Sequence, residues 1–329
     1  MANIMINGKC NLKCTYCFAN NAYLESNMTI ENVKTAVEFI LKRNVERIGI
    51  IGGEPTLHPQ LREILQYLCD NEDVKEAVLF SNGILLNNYW EELQNEKMKV
   101  LVNCNASTMM ANSLYSRMLE NIKAASQKYM GIERIALGLN IYDSQMDFEY
   151  IFKILETTGI KTLRLSVVVP NYSVDESNTS LEKYESMKDI TYDIICEALK
   201  RGIHPHFDCN LIPKCIFSVD EKKKIIQLGG NRTNIITDRT YCSPVIDIMP
   251  DLTAVRCLGI GDSERVPIEK FKNIEDLRNY FSYKFDDYSY IMPTSDKCKN
   301  CYERIVKKCS GGCLSYKRAR IEKFLEKEG

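Results

Sequence analysis

Fourteen cysteines stand in this chain of 329 residues beside only three histidines, so any metal here is held mainly by thiolate. Three of them fall in one run, Cys10-Asn-Leu-Lys-Cys14-Thr-Tyr-Cys17. Three thiolates in a short loop suit three irons of a cubane [4Fe–4S] cluster and leave the fourth iron open to a small chelating ligand. A zinc loop is the other reading, but C-x3-C-x2-C with no nearby fourth Cys or His makes a poor tetrahedral site. A second feature is Gly52-Gly53-Glu54-Pro55. Two glycines let backbone approach a ligand closely, and Glu54 offers an anionic acceptor for an ammonium group; by itself such a stretch is a turn. Eight further cysteines follow residue 208: Cys209, Cys215, Cys242, Cys257, Cys298, Cys301, Cys309 and Cys313. Their C-x2-C pair shares the spacing of a structural zinc ribbon, yet the last six already exceed one tetrahedral site. Cys69, Cys104 and Cys196 stand alone and read as small buried hydrophobes.

These residues need elements to position them. Up to about residue 205, short runs rich in Ile, Val and Leu alternate with amphipathic stretches. The expected strands are 4–7, 47–51, 77–81, 100–103, 134–139 and 163–169, mostly continuous apolar runs as in a parallel sheet buried on both faces. Ile30, Val33, Ala36, Val37, Ile40 and Leu41 recur at helical spacing after the first, and Leu61, Ile64, Leu65 and Leu68 after the second. Six such units with right-handed crossovers predict an α/β fold, a partial (β/α)6 TIM-like barrel. The Cys10 loop and Gly52–Glu54 then both sit at C-terminal ends of strands, where such barrels carry their chemistry. Beyond 205 the rhythm breaks, and cysteine, glycine and proline punctuate the chain. We expect a core domain at 1–205 and a loop-rich, cysteine-dense iron–sulfur domain at 206–329, closed by a charged helix over 315–328. His204-Pro-His206 reads as a surface turn, and the aromatic and acidic stretch 281–290 as a substrate contact or a loop over the cluster domain.

The run C-x3-C-x-aromatic-C, followed one strand later by Gly-Gly-Glu-Pro, resembles the radical S-adenosylmethionine (radical SAM) superfamily across roughly residues 1–205. The resemblance implies that Cys10, Cys14 and Cys17 bind the cluster, and that S-adenosylmethionine chelates its free iron. It places Tyr16 against the adenine and assigns Gly52, Gly53 and Glu54 to the segment that holds the methionyl amino group. Ser81, Asn82, Asn105, Ser107, Asn140 and Arg164, on later strands or at their ends, stand where relatives contact the ribose or the methionyl carboxylate; the same polar types also form turns. The later order C-x14-C, gap, C-x2-C-x7-C-x3-C is similar to SPASM/twitch extensions, which carry one or two auxiliary [4Fe–4S] clusters. Three departures stand out. Leu252 replaces a glycine of that pattern, seven residues rather than five precede Cys309, and no cysteine follows Cys313. Two clusters need eight ligands, which Cys209 and Cys215 would complete; one cluster is the competing count.

The implied reaction begins with a 5′-deoxyadenosyl radical that abstracts hydrogen and ends as an oxidation. The expected substrate is a ribosomally made peptide that gains a thioether or C–C cross-link. A small alcohol or sugar dehydrogenated by a twitch-type enzyme is the alternative. An electron donor such as flavodoxin or ferredoxin is expected. With Cys10 so near the start, a peptide substrate would need a separate leader-binding protein or would contact the core and auxiliary domain directly. No residue is assigned as catalytic acid or base. The non-enzymatic alternative is a thiolate-zinc or iron–sulfur binding module. A formal charge of −1 gives no pull toward nucleic acid or anionic lipid. No apolar run reaches the roughly 18 residues of a membrane helix, and the first residues lack a secretory pattern. A cytoplasmic protein is expected.

Overall fold

The structure is a computed structural model and describes residues 2–17, 26–43, 45, 47–169, 180–207, 212–229, 235, 240–260, 264–286 and 295–317. Seven strands run in parallel, each paired with the next: β1 (Ala2–Met5), β2 (Arg47–Ile51), β3 (Glu76–Ser81), β4 (Met98–Asn103), β5 (Ile135–Ile141), β6 (Thr162–Val167) and β7 (His204–Phe207). The expected α/β architecture stands, with one strand more than six. The additional strand is the stretch expected to be a turn. Its two histidines and Pro205 carry no apolar run, but β7 pairs only with β6, and an edge strand tolerates a proline that cannot donate to the ladder.

Three short strands continue the sheet on the other side. β8 (Asp247–Ile248) lies parallel to β1, and the antiparallel β9 (Thr253–Val255) and β10 (Val266–Pro267) follow. The order is β10-β9-β8-β1-β2-β3-β4-β5-β6-β7, an open sheet of 10 strands. The cysteine-dense region therefore shares one sheet with the strand that leads into Cys10. A buried hydrogen bond locks this join: Asn3 Nδ2 donates to Asp247 Oδ1 at 2.7 Å, while Asp247 Oδ2 accepts from the Leu258 N–H at 2.7 Å.

The core lies between the sheet and its crossover helices. The helix Ile30–Leu41 starts where Thr29 Oγ1 accepts the Asn32 N–H at 3.2 Å, and it buries Val33, Ala36, Val37, Phe39 and Ile40. Helix Leu61–Asp70 buries Leu61, Ile64, Leu65 and Leu68, the stripe read from its spacing. Strand β1 is buried along its whole length, as a central parallel strand must be. The expected helix at 315–328 falls almost wholly outside the described residues; only the 3-10 turn Leu314–Lys317 is described there.

Candidate active site

The chain leaves β1 toward Cys10 under tight constraint. Gly53 N donates to Asn7 O at 3.0 Å, Glu54 N to Lys9 O at 2.7 Å, and Asn7 Nδ2 to Glu54 O at 3.0 Å. The β1–β2 ladder thus runs on beyond both strands into the cysteine loop. A Cβ on Gly52 would lie 2.2 Å from Asn7 Oδ1, and one on Gly53 2.4 Å from Lys9 O and 2.5 Å from Gly8 O. The close approach that requires these glycines is to the backbone of the Cys10 loop. Gly53→Ala must displace main chain rather than a flexible side chain. It is expected to cost about 1–3 kcal/mol and to lower iron retention at the loop, measured by denaturant unfolding and iron content together. Unchanged values for both would contradict this packing.

Glu54 is fully buried, and both its carboxylate oxygens are taken. Oε1 accepts from the Thr56 hydroxyl at 2.6 Å, the Ser81 hydroxyl at 2.8 Å and the Thr56 N–H at 3.1 Å; Oε2 accepts from the Asn82 N–H at 2.7 Å. Burial raises its pKa, and these donors work against that rise. Asn82 Nδ2 in turn donates to Asn11 Oδ1 at 2.7 Å, so the end of β3 steadies the loop between Cys10 and Cys14. His58, just after the Glu54 turn, instead ties that turn to Met28, ahead of the helix Ile30–Leu41. Its Nδ1 accepts the Gln60 N–H at 3.1 Å, which leaves the proton on Nε2 to donate to Met28 O at 2.9 Å. Burial lowers the His58 pKa and keeps the ring neutral.

A polar chain crosses the ends of β4, β5 and β6. Asn105 Nδ2 donates to Cys14 Sγ at 3.3 Å, and Asn105 Oδ1 accepts from the Tyr16 hydroxyl. Tyr16 accepts in turn from Asn140 Nδ2 at 3.3 Å, and Arg164 Nη1 donates to Asn140 Oδ1 at 2.9 Å. Burial raises the Tyr16 pKa, so the phenol stays a neutral donor. Its ring stacks on Tyr142 at 5.1 Å between centroids. Tyr16, Glu54, Ser81, Asn82, Asn105, Asn140 and Arg164 are therefore joined around the loop. Ser107 is not: it is exposed in the 3-10 turn Ser107–Met109, and among the described residues no hydrogen bond ties it to the loop. Sequence reasoning missed Asn7, Asn11, His58 and Tyr142, whose partners lie far along the chain and leave no local pattern.

Three soft thiol donors in one loop fit a [4Fe–4S] cluster in number and chemistry. Asn7 Oδ1 fits the cofactor as well, a buried acceptor with no hydrogen-bond partner beside Gly52 and able to receive an ammonium group. Burial raises the Cys14 thiol pKa against the hydrogen bonds of Asn105 and Tyr16, so bound iron must supply the charge that holds it as thiolate. Among the described residues no three His, Cys, Asp or Glu side chains close round a single ion. A cubane does not require that, since each thiolate takes a different iron.

The later cysteines fall into two groups. Cys242, Cys257 and Cys313 influence one another, and all but Cys313 also feel Arg256. Cys242 Sγ receives a hydrogen bond from Cys313, the Leu314 N–H at 3.3 Å and Arg256 Nη1 at 3.5 Å. The Cys313 bond is the leading cause that holds its pKa well below the thiol range. Arg256, 1% exposed, also donates to the Cys242 carbonyl and to Asp286 Oδ1 at 2.6 Å. Burial opposes its charge, but Cys242, Cys257 and Asp286 outweigh it, so Arg256 stays a cation. Asp286 closes the stretch 281–286, which thus packs over this group; 287–290 lie outside the described residues. Cys215 is the other group's link: its thiol pKa is pushed up to about 11, by burial first and then by the nearness of Cys309, Cys298 and Cys301. Cys209 lies outside the described residues. Leu252, standing where the extension pattern has glycine, takes the glycine-like φ of 61° in the β8–β9 turn.

Comparison with known proteins agrees with this geometry. Residues 4–143 match the profile of the Radical SAM superfamily. A probable GTP 3′,8-cyclase of Methanococcus aeolicus is 26% identical over 243 residues, 71% of this chain and 72% of that protein. One of Methanocaldococcus jannaschii is 32% identical over 154 residues, 43% of this chain and only 51% of that protein. Among solved structures, native anSMEcpe with bound AdoMet and a Kp18Cys peptide superposes with a TM-score of 0.66 at 18% identity, covering 99% of this chain and 95% of that one. Streptococcus suis SuiB bound to S-adenosylmethionine gives 0.59 at 16% identity, covering 95% and 72%. At such identities the superpositions speak for the fold alone. No helix among the described residues is long and apolar enough to cross a membrane. With the profile spanning the cysteine loop and the strands around it, the chain carries a radical SAM domain and is a radical SAM enzyme, using a [4Fe–4S] cluster and S-adenosylmethionine.

Proposed function

We propose that this enzyme oxidatively modifies a ribosomally made peptide, by a thioether or C–C cross-link, with auxiliary iron–sulfur clusters held by residues 206–329 acting as an electron sink. The observation that carries this reading is the separation of the later cysteines into two groups. Two auxiliary clusters are the SPASM arrangement, which the resemblance links to peptide modification, whereas one favours small-molecule dehydrogenation. The peptide-bound anSMEcpe and SuiB folds support it at the level of architecture.

The cluster and S-adenosylmethionine, when bound, supply reductive cleavage to a 5′-deoxyadenosyl radical. In this reading Cys10, Cys14 and Cys17 hold the iron, and the Gly52–Gly53 backbone with Asn7 Oδ1 receives the methionyl amino group. Glu54 orders that pocket from beneath through Ser81, Asn82 and Thr56. Tyr16 and Tyr142 form an aromatic wall for the adenine, and Asn105, Asn140 and Arg164 face the ribose and carboxylate. Ser107 keeps only a solvent-side role. A flavodoxin or ferredoxin would deliver the electron, and leader recognition would rest on a separate protein.

GTP is the second substrate to test, because the sequence relatives are named GTP 3′,8-cyclases. The reduced enzyme with S-adenosylmethionine is given, in parallel, peptides encoded beside its gene, GTP, and a panel of polyols. We expect 5′-deoxyadenosine formation to rise at least tenfold, about 1.4 kcal/mol of transition-state stabilisation, only with a peptide that loses a hydrogen pair by mass. The same rise with GTP or a polyol alone overturns the peptide reading.

A further inference from the structure

Cys215 lies on the turn Lys214–Ile216, far upstream of Cys298, Cys301 and Cys309, the cysteines it neighbours. Lys214 Nζ stands 3.3 Å from Glu303 Oε1, and Glu303 belongs to the helix Tyr302–Ile305 between Cys301 and Cys309. The carbonyl of Glu303 accepts the N–H groups of Lys308 at 2.7 Å and Cys309 at 3.0 Å. One residue thus anchors both the Cys215 turn and the backbone that presents Cys309. Arg304 Nη1 donates to Cys298 O at 3.2 Å, and Cys301 N to Cys298 O at 3.3 Å, so the same helix also fixes the C-x2-C pair. A partly exposed ion pair of this kind is too weak to hold two distant segments together by itself. The other group is kept apart by different contacts: Cys242 N donates to Ser310 Oγ at 3.1 Å, Cys313 Sγ accepts from the Ser315 hydroxyl at 3.3 Å, and Arg256 lies between Cys242 and Asp286.

Resting on the auxiliary-cluster reading above, we infer that Cys215 is the fourth thiolate of a closed iron–sulfur site with Cys298, Cys301 and Cys309, separate from the set Cys242, Cys257 and Cys313. The seven residues between Cys301 and Cys309 have a use in this arrangement. They form the helical turn whose Glu303 receives Lys214, so the longer spacing and the upstream ligand belong together. Closure of this site does not depend on any cysteine beyond Cys313.

The test uses the full chain with Cys10, Cys14 and Cys17 replaced by alanine, reconstituted anaerobically, so that only later iron is read. The background should hold about eight irons, four per cubane, and show two overlapping paramagnetic signals when reduced. Adding Cys215→Ala should remove one signal and up to half of the iron. Cys215→Ser, which keeps a ligating oxygen, should retain the iron with a shifted signal. Cys196→Ala, outside both groups, should change neither. Two unaltered signals in Cys215→Ala with full iron would overturn the ligand assignment and leave the two-cluster reading intact. A background variant carrying zinc in place of iron would instead overturn that reading itself.

Discussion

Replacing Cys10, Cys14 and Cys17 together by alanine is expected to abolish formation of 5′-deoxyadenosine under dithionite, while most iron stays bound through the later cysteines. The loop sits at the end of β1 and is tied to the Gly52–Glu54 segment by main-chain bonds, so removal of three thiols takes away the iron ligands without touching the sheet. The aromatic and polar wall around it, from Asn105 through Tyr16 to Arg164, has no means of delivering an electron to S-adenosylmethionine by itself. The loss should therefore reach the detection limit, beyond about a thousandfold or roughly 4 kcal/mol. Iron content should fall from about twelve to about eight per chain, one cubane of four. Residual cleavage with dithionite would show that another site binds the cofactor. A fall to about four would leave one auxiliary cluster and favour the dehydrogenase reading.

Arg256→Met should be the most destabilising single change in the cysteine-dense region. Arg256 is buried, and it offsets both Asp286 and the Cys242 thiolate at close range. Removing one partner of a buried pair leaves the other charge uncompensated, at a cost of about 3–5 kcal/mol. Asp286 keeps 27% of its side-chain exposure, so hydration recovers part of the loss and the lower end of that range is expected. Denaturant unfolding of the anaerobic holoprotein reads it directly, and the iron ascribed to Cys242, Cys257 and Cys313 should become labile to a chelator. The double change Arg256→Met with Asp286→Leu should recover part of the stability, because the Asp286 carboxylate is then no longer left unpaired and only Cys242 lacks its cation. A loss under about 1 kcal/mol for the single variant would mean that Arg256 merely fills space.

The features legible along the chain are those written in short stretches. The three-thiol loop lies within eight residues, so its spacing alone points to an iron–sulfur site, whereas the Gly-Gly-Glu segment gains meaning only beside that loop. Buried parallel strands need apolar runs on both faces, and β2 to β5 carry them, while β6 buries only its alternate residues Leu163, Leu165 and Val167. Strand β7 escaped because an edge strand bonded on one side needs no such run, and the two-residue β8 is too short to show one.

Other decisions belong to distance in space. The glycines at 52 and 53 look like room for a ligand in the sequence, but the fold presses them against the Cys10 loop itself. Glu54 reads as a free anion and is instead enclosed by donors from its own turn and from β3. The sequence by itself determined that this protein binds iron through thiolates and positions it at the head of a parallel sheet, because ligand spacing and strand hydrophobicity are local properties. Only the tertiary structure brings Cys215 near Cys298, Cys301 and Cys309 and sets the Arg256 cation beside Cys242. Those facts depend on contacts between segments tens of residues apart, brought together by packing and ion pairing that no single stretch encodes.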